Sequence, residues 1–102
     1  MTWFEEGDSP ARIAQFRALS ERSEGSWRFM RDSSGQEGML IADGAVWHFG
    51  CSGCPEMITG GPIAPERFLA DNDPAPSGAS SDWARLCATV CARLRELGYR
   101  SA

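Results

Sequence analysis

An α+β fold, with a three-stranded antiparallel sheet flanked by helices in the order α-β-β-β-(α)-α, is what this chain of 102 residues predicts. Three observations predict it. Apolar residues recur at helical spacing near both ends, they alternate with period two over residues 26–32, and an Asp43-Gly44 pair joins two apolar runs.

The first helix is expected over residues 10–24. Ser9 suits its N-cap, Pro10 its first position, where a missing N–H costs nothing, and Gly25 its end. Ile13, Phe16 and Leu19 supply a narrow apolar stripe. Three strands follow, at 26–32, 38–42 and 45–49. In the first, Trp27 and Phe29 face one way and Arg28 the other; Ser33-Ser34-Gly35 is turn chemistry. Asp43-Gly44 fits a type I′ turn, whose two central residues both need positive φ. That turn fixes the register: residue 42 pairs with 45, 41 with 46, 40 with 47 and 39 with 48. Leu40, Trp47 and Phe49 then share one face, read as the core face. Met39, Ile41, Val46 and His48 share the other, which is more apolar than a solvated face should be.

Residues 50–80 read as a long loop rich in Gly and Pro, holding one short helix at 65–70. The last helix is expected over 82–97. Ser81 serves as cap, Asp82 suits the positive end of the helix dipole, Arg93 and Arg95 the negative end, and Gly98 is the stop. Its apolar stripe is Trp83, Leu86, Val90, Leu94 and Leu97.

Composition bounds the function. With 42% hydrophobic and 24% charged residues, the chain reads as a single globular domain over 1–102. A net charge of −4 argues against nucleic acid as partner and suits a protein with a basic surface. All ten basic residues are arginine. The acidic start and the absence of a long apolar run predict no leader and no membrane span, hence a cytoplasmic protein. The element order is similar in outline to that of the double-stranded-RNA-binding domain. That family opens its second helix with lysines; here the helix opens Ser81-Asp82-Trp83-Ala84, and charge excludes the assignment.

Four cysteines fall in two pairs. Cys51 and Cys54 form a C-x-x-C knuckle, and Cys87 and Cys91 lie four apart on one face of the last helix. A knuckle plus a helical pair is the arrangement by which four thiolates hold one zinc ion, with His48 a substitute ligand. The competing reading is four structural thiols, since free cysteine behaves as a small buried hydrophobe. A redox role for the knuckle is opposed by Gly60 and Gly61, which would end a helix begun at Pro55.

No catalytic constellation emerges. His48 is the only histidine and has no orienting residue placed by sequence, and Thr59-Gly60-Gly61 lacks the lysine of a phosphate loop. The expected function is therefore a small acidic protein-binding module of inhibitor, immunity or adaptor type, without catalysis and without cofactor. The alternative is a domain binding zinc or another metal through Cys51, Cys54, Cys87 and Cys91. The expected binding surface is Met39, Ile41, Val46 and His48 left open on the second sheet face, rimmed by Arg28, with Trp3 as a further anchor. The competing arrangement folds the 50–80 loop over that face and brings in Phe68 and Leu69.

Overall fold

The computed structural model describes residues 8–33, 35–52, 55–73, 78 and 80–102. The elements are α1 (Asp8–Glu21), β1 (Gly25–Asp32), β2 (Gly35–Ala42), β3 (Ala45–Ser52), β4 (Met57–Ile63), α2 (Pro65–Asn72) and α3 (Ser81–Glu96). The α+β class holds. Among the described residues the sheet has four strands, in the order β1-β2-β3-β4, with every neighbouring pair antiparallel.

The β2–β3 hairpin forms as its turn chemistry requires. Asp43 and Gly44 both sit at positive φ, 55° and 71°, and the pairs Ala42↔Ala45, Ile41↔Val46, Leu40↔Trp47 and Met39↔His48 follow. Arg22, just past α1, makes a bidentate pair with the Asp43 carboxylate at 2.7 and 2.9 Å. This ties the end of the first helix to the turn, and the same guanidinium holds the Asp43 carboxyl below its ordinary range.

The loop expected over 50–80 contains a strand. β4 carries Gly60, Gly61 and Pro62, which read as breakers, yet an edge strand tolerates a proline because its outward N–H has no partner to lose. Gly61 lies at φ 108°, and a Cβ there would sit 2.9 Å from the Val46 carbonyl oxygen, so glycine is what lets β4 approach β3.

Helices cover both faces. Phe16 and Leu19 of α1 meet Leu40, Ala42, Phe49 and Ile58 on one side. On the other, Phe68 and Leu69 of α2 and the stripe Leu86, Cys87, Val90, Cys91 and Leu94 of α3 bury Met39, Ile41 and Val46. Ser80, one residue before the expected cap, accepts a hydrogen bond from the Trp83 N–H at 3.1 Å and starts α3. No helix among the described residues is long and apolar enough to cross a membrane.

Candidate functional site

The face expected to be open is closed. Met39, Ile41 and Val46 have no exposed surface, because α2 and α3 pack directly on them. The strand β4 and the helix α2 carry the 50–80 segment round to this side, and Phe68 and Leu69 become core residues. Arg28 does not rim this face. The β1–β2 register sets Trp27 opposite Met39 and Arg28 opposite Gly38, so alternation sends Arg28 to the Phe49 side. There its guanidinium lies 5.3 Å from the Phe49 ring centroid and pairs bidentately with Glu56 at 2.8 and 3.1 Å. Trp3 lies outside the described residues.

His48, in the middle of β3, is half-buried beneath the start of α3. Its ring makes an edge contact with Trp83, centroids 5.7 Å apart, and Trp83 makes another with Phe29 at 6.3 Å. Burial lowers its pKa below the ordinary 6.5, and the Glu37 carboxylate partly offsets this. Folded His48 therefore binds its proton more weakly than unfolded His48 does. Its contribution to stability is complete above pH 6.5 and declines as pH falls from there toward the depressed folded value. The urea midpoint is expected to drop as pH is lowered from about 7.5 to 5.5. His48→Phe should flatten part of that slope, and an unchanged slope in that variant would refute the assignment.

The three described cysteines do not converge. Cys87 and Cys91 are buried between α3 and the sheet, and burial raises both thiol pKa values, with Cys87 adding to the shift at Cys91. The Cys87 Sγ lies 3.6 Å from Asn72 Oδ1. Cys51 follows Phe49 on β3 and so faces the α1 side, with the sheet between it and the helical pair. Cys54 lies outside the described residues. Alternation also puts Cys51 and His48 on opposite faces of β3, so these two do not form a Cys–His pair. Among the described residues, no group of three or more His, Cys, Asp or Glu is placed to hold a metal ion.

A different site emerges at the edge of the sheet. Among the described residues, β1 is an end strand of eight residues, paired only with β2. α3 runs antiparallel alongside it: Trp83 meets Phe29 near one end, and the Arg93 Nε donates to the Glu24 carbonyl at 2.8 Å near the other. Between them runs an open trough. Trp27 forms its floor, and Arg85, Ala88, Thr89, Ala92 and Arg93 its wall. The Trp27 indole lies back over Gly25, where an added Cβ would fall 2.1 Å from a ring carbon, so glycine at the head of β1 sets the floor. Nothing in the sequence marked this trough. Arg85, Thr89 and Arg93 look like the solvated face of an amphipathic helix, and only the alanines at 88 and 92, small where long polar side chains are usual, hinted at a contact surface.

No family model, no curated protein and no solved structure matches this chain.

Proposed function

We propose that the chain is a non-catalytic protein-binding module of inhibitor, immunity or adaptor type, and that it binds by adding a strand from its partner to the free edge of β1. The observation that carries this reading is the open, strand-competent edge lying beside a trough. The two sheet edges differ in kind. β4 is broken by two glycines and a proline and is packed beneath α1, which are the usual defences against edge pairing. β1 has no proline, carries Trp27 and Phe29, and has α3 set along it as a second wall. Met30, at the far end of the same strand, is 58% exposed and stands out among the described apolar side chains. Strand addition supplies affinity through the main chain and specificity through alternate side chains that meet the wall.

Net charge alone suggested a basic partner. Charges act over about 8 Å at physiological salt, so the residues lining the trough count for more than the total, and those are arginines as well as acids. A cytoplasmic setting belongs to this proposal and is supported by the free thiols of Cys51, Cys87 and Cys91.

Site-directed photocrosslinking in native cells tests the reading. A benzophenone side chain at Ala92, in the trough, is expected to give an adduct of defined mass. The same group at Ala14, exposed on α1, should not. Equal labelling from both positions, or none from Ala92, would count against the proposal.

A further inference from the structure

Resting on strand addition at β1, we infer that the trough accepts an extended acidic segment carrying two carboxylates four residues apart, with a small or apolar residue midway between them. The wall sets this pattern. Arg85 and Arg93 stand eight residues apart on α3, with Ala88, Thr89 and Ala92 between them. At 1.5 Å per residue the two arginines are separated by about 12 Å along the helix. In an extended strand rising 3.3 Å per residue, side chains at i and i+4 point the same way and lie about 13 Å apart. The spacings match, so carboxylates at i and i+4 meet both guanidiniums while the side chain at i+2 faces the low stretch of the wall. The Thr89 hydroxyl is already committed to the Arg85 carbonyl at 2.9 Å, which leaves a largely apolar surface there.

The carboxylate partners of both arginines can be exchanged, although Arg93 Nε stays on the Glu24 carbonyl at 2.8 Å, which leaves its two terminal nitrogens to meet a new carboxylate. Arg85 has Asp82 at 3.7 Å and Arg93 has Glu96 at 3.1 Å, both exposed pairs one helical turn apart, a kind worth little in water. Guanidinium also takes a carboxylate bidentately, which rewards correct spacing. A basic segment would meet two cations. A second copy of the chain fits poorly: Asp82 and Glu96, and likewise Arg85 and Arg93, are equidistant from Thr89. An antiparallel pairing of two α3 helices about Thr89 would therefore set acid against acid and arginine against arginine.

The test is a titration of the isotopically labelled full chain with three nine-residue peptides, read from backbone amide shifts. One peptide carries Asp at positions 3 and 7 with Val at 5. The second has Lys in place of both Asp, and the third moves the second Asp to position 6. The first is expected to shift the amides of Ser26–Met30 and to bind at least about tenfold more tightly than the others. Arg85→Glu should abolish that advantage, and a peptide with Lys at one of the two positions should recover binding to the variant. Equal affinity for all three peptides at the β1 amides would overturn the charge rule and leave the open edge standing. No shift at β1 with any peptide would overturn both.

Discussion

Replacing Val46 with Asp is expected to cost roughly 3–5 kcal/mol, because the new carboxylate would be buried without a partner. Val46 has no exposed surface and pairs with Ile41 on one side and Ile63 on the other, under a layer formed by α2 and α3. Native domains hold only about 5–15 kcal/mol in reserve. For a chain of this length such a loss should lower the melting temperature by about 15 °C or more. Circular dichroism melts of Val46→Asp beside Val46→Ala measure it, with the alanine variant expected to lose about 1–3 kcal/mol for the deleted methyl groups. A melting temperature within a few degrees of the parent protein would mean that this sheet face is open and that α2 and α3 do not pack as described.

Gly38→Val should be nearly as damaging, for a steric reason. A Cβ at Gly38 would lie 2.4 Å from the Trp27 carbonyl oxygen and 2.5 Å from a carbon of the Phe49 ring. Phe49 is 1% exposed, in tilted contact with the Phe16 ring at 4.8 Å between centroids, with the Arg28 guanidinium above it. Neither a ladder strand nor a ring held from two sides can retreat cheaply, and overpacking of this kind costs about 1–3 kcal/mol or more. Adding Phe49→Leu should recover only part of the loss, since the backbone carbonyl remains in the way. Full recovery would assign the whole clash to the ring.

The same glycine explains part of what could not be read from the sequence. Gly35-Gln36-Glu37-Gly38 looks like a loop, and β2 was expected to start at Gly38. It starts at Gly35, because residues 35–37 pair with β1 on one side and β3 on the other, and Gly38 must be glycine there because the Trp27 carbonyl and the Phe49 ring leave no room for a Cβ. Residues distant in sequence created that requirement. β4 was hidden for a related reason: Gly60, Gly61 and Pro62 are breakers by propensity, and only an edge position next to β3 accommodates them. What depended on local chemistry was legible. The Asp43-Gly44 turn, the hairpin register and the two terminal helices lie where their turn and cap residues placed them, to within three residues.

The site was less legible because it depends on two long-range choices. Alternation showed that Met39, Ile41 and Val46 share a face but carried no information on how many helices would cover it. Both α2 and α3 do, so the apolar face is core. Arg28 was placed on the wrong side because the β1–β2 register is set across a turn and an irregularity between Met30 and Asp32, not by a two-residue loop. The trough needs β1 at the end of the sheet and α3 alongside it. That is a fact of strand order, and no residue of Trp27, Arg85 or Arg93 announces it alone.

Amide hydrogen exchange along β1 in the free protein reports whether this edge is open. With β1 an open edge, protection is expected to alternate over Ser26–Met30: amides pointing to β2 exchange slowly, and those pointing outward exchange fast. The amides of β2 over Met39–Ile41, bonded within the middle of the sheet, should be slow without alternation. Uniform protection along β1 in monomeric protein would mean that the edge is already occupied, and would contradict strand addition as the way this chain binds.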